Sequence, residues 1–197
     1  MKKIITAIAL LLFILTTLTT FNVSTCLATT LNDDQGIKFV KPDEGKTISV
    51  LGTETMTFKT VGKDTKGDLS LLDVTSQPQG GPPLHTHTWQ ETFYVLDGEY
   101  EFYGAEPSDT LKATAGSVIH VPSEVIHTYK NVGSTPGHYL LILDPAGSSE
   151  KFFEELGTPV TNHPSSGQPD MERILAVSRK YHVEFPNLPS GKVAQLP

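Results

Sequence analysis

The residues in this sequence with the clearest capacity for chemistry are two histidines and a glutamate. His85, His87 and Glu91 are all odd-numbered, and alternate residues of a β-strand project from one face. A roughly continuous strand would therefore direct all three side chains at one point. Two imidazoles and a carboxylate that converge form most of a site for a divalent transition metal. His127, in a second patterned stretch, is the candidate for the fourth ligand.

The segments around these residues predict two β-hairpins, within residues 92–103 and 117–132. Asp97-Gly98 stands between two runs of aromatic and β-branched residues, and this dipeptide favours a tight hairpin turn with positive φ at both positions. The second hairpin carries His127. The two hairpins would thus bring the ligands together from different parts of the chain.

Other short stretches rich in apolar and β-branched residues also predict strands, and helical periodicity is absent from this region. They cover residues 47–51, 53–61, 69–76 and 139–143. The last of these is the most apolar, so we expect it to be central. Many short strands, spaced roughly ten residues apart, predict an all-β fold, either a sandwich or a closed barrel.

The last 50 residues predict a different structure. A helix over 150–156 would be capped by Ser148 or Ser149 and ended by Gly157, and a loop would follow over 158–167. A second helix would begin near residue 169 and run to about residue 181. Packing is the favoured role for both. The predicted organisation is an extended lead-in (29–46), a barrel (47–146) and a helical extension with a tail (147–197).

Composition limits the classes of partner. A chain of 197 residues is long enough for one domain with a sizeable core. Its net charge of −7 excludes a nucleic-acid partner, since phosphate binding needs clustered lysine and arginine. The single cysteine, Cys26, lies in the N-terminal segment, so we expect no disulfide in the folded part.

The N-terminal segment predicts export. Lys2 and Lys3 precede an apolar run, and small residues at 26 and 28 fit cleavage after Ala28, which makes residues 1–28 a signal peptide. One alternative is an uncleaved membrane anchor, since the run is near the lower length limit for spanning a bilayer. Another is a lipoprotein signal ending at Cys26. All three place the domain in the periplasm or outside the cell, and membrane attachment is expected only through this segment.

The two patterned stretches together resemble the two motifs of the cupin superfamily. The first motif is a glycine, five residues, His-X-His, three or four residues, glutamate, six residues and a glycine. Its counterparts here are His85, His87, Glu91 and Gly98, with the leading glycine one place late at Gly80. The counterparts of the second motif are Gly116, Pro122, His127 and Asn131, with Glu124 in place of the internal glycine.

This resemblance implies a cupin β-barrel (a jelly roll) with a short C-terminal helical extension, and a metal held by His85, His87, Glu91 and His127. Short sequence segments after residue 143 resemble those of single-domain bacterial cupins similar to quercetin 2,3-dioxygenase. They imply a dioxygenase that acts on a flavonol-like or other enolic or phenolic small molecule, and homodimers are common in such families. Oxalate-degrading cupins are similar in their ligand set, so an oxalate-type decarboxylase or oxidase is an alternative.

The ligand set leaves open both the identity of the metal and the role of the site. Three histidines and one carboxylate suit iron, manganese, nickel, cobalt or zinc, and ligand type does not choose among them. In an enzyme, Glu91 would accept the proton of a substrate hydroxyl. In a non-catalytic binding module, the metal would only anchor a ligand or stabilise the barrel. Trp89 is as suited to a pocket as to a core, and we expect His120 to be an ordinary strand histidine.

Overall fold

The computed structural model describes residues 36–106, 108, 110–160 and 170–187. The predicted signal peptide, residues 1–28, lies outside these ranges, as does His163. Within the described ranges, neither α-helix has the length and apolar character needed to cross a membrane. The lead-in has no strand over residues 36–45.

The described residues form ten β-strands, two α-helices and one turn of 3₁₀ helix. The strands are β1 (Lys46–Val50), β2 (Glu54–Thr60), β3 (Ser70–Ser76), β4 (Gln90–Asp97), β5 (Tyr100–Tyr103), β6 (Leu111–Ala113), β7 (Val118–Val121), β8 (Thr128–Asn131), β9 (Gly137–Asp144) and β10 (Thr158–Pro159). The helices are α1 (Ser148–Leu156) and α2 (Met171–Lys180), and the 3₁₀ turn is Gly62–Asp64.

The strands form two antiparallel sheets. One has seven strands in the order β10-β1-β2-β3-β9-β4-β7, and the other has three in the order β6-β5-β8. Burial alternates strictly along β3 and through most of β9, as expected for strands with one face on a core. The predicted interior place of residues 139–143 is confirmed, because β9 lies between β3 and β4.

The core lies between the inner faces of the two sheets. The Phe93 ring on β4 lies 5.0 Å from that of Phe102 on β5 and 5.3 Å from that of Tyr129 on β8, measured between centroids. These T-shaped contacts across the sheets are a favourable geometry for aromatic rings. The predicted all-β jelly roll with a short helical extension is therefore confirmed.

Both predicted hairpins are wrong. β4 pairs with β7 and β9, whereas β5 pairs with β6 and β8, so Asp97-Gly98 leads the chain from one sheet to the other. Gly98 has φ of +98°, but Asp97 is not in the positive-φ region that a type I′ turn needs. Likewise β7 and β8 belong to different sheets, and the turn before His127 is a second crossing.

The C-terminal extension differs from the prediction in detail. α1 begins at Ser148, and no side chain caps it, because Gly147 occupies the N-cap position and the two serines lie inside the helix; the Ser149 hydroxyl donates to the Pro145 carbonyl. Residues 158–159, predicted as loop, form β10 and pair with β1. α2 begins after Asp170, whose carboxylate accepts from the Arg173 amide at 3.0 Å. This cap satisfies one of the free amides of the first turn.

Candidate metal centre

His85 and His127 are joined by their own backbones. Each amide donates to the carbonyl of the other residue, at 3.0 and 2.8 Å, in an isolated antiparallel bridge. The ligand segment is therefore not one continuous strand, since bends at residues 88 and 89 separate this bridge from the start of β4 at Gln90. Strand phase selected residues that the structure does bring close together, but their convergence depends on the bridge and on β4 together.

Each of the three imidazoles is oriented by a carbonyl close by in the chain. The Nδ1 atoms of His85, His87 and His127 each lie 2.9 Å from a backbone oxygen. A carbonyl can only accept, so each Nδ1 donates, and in the neutral form of the ring the Nε2 atom carries the lone pair that could bind a metal. The Nε2 atoms of His87 and His127 are buried and have no hydrogen-bond partner. Ligand atoms of all three histidines lie within 4.8 Å of one another.

Glu91 lies on β4 beside two of these imidazoles. Its Oε1 is 3.3 Å from His87 Nε2, and its Oε2 is 3.7 Å from His127 Nε2. The Trp89 indole N–H donates to Oε1 at 3.1 Å and fixes the carboxylate. The Trp89 ring also stacks on His87, with centroids 4.3 Å apart and planes 3° from parallel. Trp89 is thus both a buried core residue and a support for two of the site residues.

Burial and charge shift the protonation of this cluster in a consistent direction. Burial, followed by the nearby His127, lowers the pKa of His85 to about 4. Burial raises the pKa of the Glu91 carboxyl, but the His127 and His87 imidazoles outweigh it and hold that pKa well below its usual range. At neutral pH His85 is therefore neutral and Glu91 is ionised, which are the forms that bind a cation.

The donor set fits a divalent metal ion. Pinned Nδ1 protons, unpartnered buried Nε2 atoms and an ionised carboxylate beside them are the arrangement that metal-binding histidines need. A family model described as a cupin domain matches residues 72–143, a range that contains all four of these residues. Residues 72–143 form a cupin domain.

Comparison with solved structures agrees with this assignment. The chain is similar to a predicted oxalate decarboxylase from Thermotoga maritima, with 19% identity and a TM-score of 0.50 over 55% of this chain and 99% of that one. It is also similar to KdgF from a Halomonas species, with 14% identity and a TM-score of 0.50 over 58% and 98%. At these identities the likeness shows the fold alone. A search of curated proteins found no match.

Two residues of the cupin domain adopt backbone conformations that its motifs assign to glycine. Gln79 stands where the first motif has its leading glycine, and its φ is +66°. Glu124 replaces the internal glycine of the second motif, and its φ is +64°. The Glu124 amide donates to the His87 carbonyl at 2.7 Å, so this turn is tied to the metal centre. Both turns keep the left-handed geometry despite the strain that a side chain adds there.

The candidate metal centre opens into a cavity of about 390 Å³ with mainly apolar walls. The barrel supplies one part of the wall, and the C-terminal extension supplies the rest through Phe152, Phe153, Leu156, Met171, Ile174, Ser178, Val183 and Phe185. The extension also pairs with the ligand-bearing segment, because Glu184 exchanges two backbone hydrogen bonds of 2.9 and 3.0 Å with Thr86, which lies between His85 and His87. The two helices therefore do more than pack: they form part of the wall of this cavity.

Sequence reasoning missed a second acidic group in this cavity, Glu54 on β2. The sequence did contain a signal for this residue: Glu54 stands two residues before Met56 and four before Phe58, both of which face the core. Strand alternation therefore predicts that Glu54 also points inward. Of the remaining histidines, His120 is exposed and bonds Thr92 at 2.9 Å, as expected for a strand residue. His138 is partly exposed and pairs with Asp73 at 2.6 Å.

Proposed function

We propose that this cupin binds one divalent transition metal through His85, His87, Glu91 and His127 and acts as a dioxygenase on a flavonol-like or other enolic or phenolic molecule. The observation that carries the proposal is the set of free, inward Nε2 lone pairs beside a buried carboxylate at the wall of an apolar cavity. Of the described residues that line this cavity, none is a lysine or an arginine. A mainly apolar substrate fits such walls better than a small dicarboxylate, whose second charge would lack a partner.

The chain's own residues would bind and orient the substrate. Apolar and aromatic walls favour a flat ring system and exclude water, and Trp89 and Phe93 contribute two of the aromatic faces. A bound metal would lower the pKa of a substrate enol hydroxyl that contacts it. Glu91 would accept the proton released there, while Trp89 holds its carboxylate in place. The resulting electron-rich enolate is the species that reacts with O2 to cleave the ring.

Two measurements test this proposal. Elemental analysis of protein purified without chelator should give about one transition-metal ion per chain, and His127→Ala should lower that occupancy sharply because it removes a ligand from a buried site. Folded protein that stays metal-free under several metal supplements would refute every catalytic step. The matched control is His120→Ala, which removes an exposed histidine of the same domain and should leave the occupancy unchanged.

Oxygen uptake by the metal-loaded protein should then be measured with flavonols, catechols, small enols and oxalate. Glu91→Gln keeps the side-chain size and an oxygen ligand but removes the base, so we expect it to bind metal and lose about two orders of magnitude in rate. Turnover of oxalate alone would establish the decarboxylase or oxidase alternative. No reaction with any compound would favour the non-catalytic binding module.

A further inference from the structure

Glu54 is a carboxyl group buried in the wall of the cavity and is not one of the four proposed metal ligands. It is 2% exposed. The Ser76 hydroxyl donates to its Oε1 at 2.8 Å, and the Tyr139 hydroxyl lies 3.3 Å from its Oε2. Tyr139 in turn shares a hydrogen bond of 2.6 Å with Tyr129. Burial raises the pKa of Glu54 to about 7, against the lowering effect of these hydroxyl groups.

The hydrogen-bonding capacity around Glu54 is only partly used. An ionised carboxylate offers about four lone-pair sites, and Ser76 and Tyr139 occupy two of them. The adjacent residue, Thr53, also lines the cavity, and its buried hydroxyl has no hydrogen-bond partner. Buried polar groups are rarely left unsatisfied in folded proteins, so each such group needs an explanation. A ligand group that reaches this end of the cavity would provide one.

One strand links this polar group to the proposed metal centre. Tyr129 bonds the Tyr139 hydroxyl at the Glu54 side, and it follows His127 by two residues. Tyr129, Glu54 and Glu91 all line the same cavity, whose remaining walls are mainly apolar. A ligand in this cavity would therefore meet both Glu54 and the proposed metal centre among mainly apolar walls.

We propose that Glu54 and Thr53 form a second polar binding point, which recognises a hydroxyl group of the substrate remote from the one that meets the metal. The inference rests on the proposed function, and it narrows the substrate class to polyhydroxylated rather than singly hydroxylated enolic or phenolic molecules. Glu54 accepts the hydrogen bond of that remote hydroxyl, and Thr53 completes its coordination. Recognition of this kind discriminates strongly, because a ligand that lacks the hydroxyl leaves buried polar groups unpaired.

The test compares two probes, 3-hydroxyflavone and quercetin, which share the enol but differ in their other hydroxyls. Binding to metal-loaded and metal-free protein is followed by the fluorescence of Trp89, the only tryptophan in the chain. We expect quercetin to bind the wild type about tenfold more tightly than 3-hydroxyflavone at about pH 8, where Glu54 is ionised. Glu54→Gln should bring this ratio close to one. The ratio cancels any change at the metal centre that affects both probes equally.

Glu150→Gln is the matched control. Glu150 is also a partly buried carboxylate that accepts from a serine, Ser70, at 2.6 Å, but it does not line the cavity. This variant should keep the wild-type ratio. An unchanged ratio in Glu54→Gln, with metal-dependent binding of both probes, would overturn the second binding point and leave the proposed function standing. A preference that depends on Glu54 but not on metal would support the binding point and refute the metal-dependent function. Failure of both probes to bind would overturn the second binding point and exclude flavonols from the proposed function.

A pH series provides a second measurement if Glu54→Gln does not fold. The titratable groups that face Glu54 are the phenols of Tyr100, Tyr129 and Tyr139, whose pKa values burial and the Glu54 charge raise, so they stay neutral through this range. The quercetin preference should fall as pH drops through about 7. Ser76→Ala removes a hydrogen bond that favours the ionised form and should move this midpoint to higher pH. A midpoint that does not move would refute the role of Glu54.

Discussion

The pH dependence of stability in metal-free protein offers a direct check on the environment of Glu54. Its pKa is about 7 in the folded state and 4.5 when exposed. The folded state therefore holds the proton more tightly, and the associated stability is fully present below pH 4.5 and is lost as pH rises through 7. A difference of this size corresponds to about 3 kcal/mol in the free energy of unfolding. Glu54→Gln has no such proton to lose.

The assay is denaturant unfolding of wild type and Glu54→Gln across this pH range, in the presence of chelator. The difference in unfolding free energy between the two proteins should shift in favour of the variant by about 3 kcal/mol between pH 4.5 and 7.5. The comparison with the variant is needed because His85 titrates over an overlapping pH range, and its titration changes the stability in the opposite direction. A difference that stays constant with pH would refute the claim that burial raises the pKa of Glu54 in the folded protein.

Three further predictions concern other parts of the chain. The pKa of His85 is lowered from 6.5 to about 4, so the unfolded chain binds the proton more tightly than the folded protein does. The free energy of unfolding should therefore fall by about 3 kcal/mol as pH falls across that interval. The measurement uses metal-free Glu54→Gln, in which the titration of Glu54 is absent. The further change His85→Gln should abolish this loss, and a loss that persists would refute the assignment. Phe152→Ala should lower the free energy of unfolding by about 3–5 kcal/mol. It should also shift the fluorescence emission of Trp89, because the two ring centroids lie 5.4 Å apart. Unchanged emission would contradict that contact. Mass spectrometry of exported protein should find cleavage after Ala28, whereas an intact N-terminus in a membrane fraction would favour the anchor.

The four proposed ligands could be selected from the sequence because their spacing is a local property. His85, His87 and Glu91 lie within seven residues, and His127 stands at a fixed distance from a glycine and a proline in its own segment. The fold class followed from the many short strands for the same reason. In both cases the information lies in a few neighbouring residues, which a single sequence displays.

Strand partners could not be predicted in this way. Asp97-Gly98 is a strong hairpin signal, yet β4 pairs with β9 at Tyr94 and Leu140, across more than forty residues of sequence. The residue types of a turn predict that the chain reverses or bends there, but they do not predict which strands will pair on either side of the turn. That choice depends on how the apolar faces of all the strands are buried together, which is a property of the whole domain.

The turns of the two motifs show a related limit. A glycine at the motif position would have signalled positive φ, but Gln79 and Glu124 adopt that conformation with ordinary side chains. Non-glycine residues in this region are uncommon and carry a strain of the order of 1 kcal/mol. Hydrogen bonds from the Gln79 amide to Asn131 and from the Glu124 amide to His87 hold the two turns in place. The surrounding structure, rather than the residue type, sets the backbone there.

The cavity holds two carboxyl groups whose surroundings shift their pKa values in opposite directions. Burial raises the pKa of Glu91, but the His127 and His87 imidazoles beside it outweigh burial, so its pKa is lowered and it stays ionised. Glu54 has only hydroxyl groups beside it, so burial dominates and its pKa rises to about 7. A permanently ionised carboxylate suits a metal ligand, whereas a carboxyl that titrates near neutral pH suits proton exchange or hydrogen bonding with a neutral ligand. The two carboxyl groups of this cavity therefore suit different tasks.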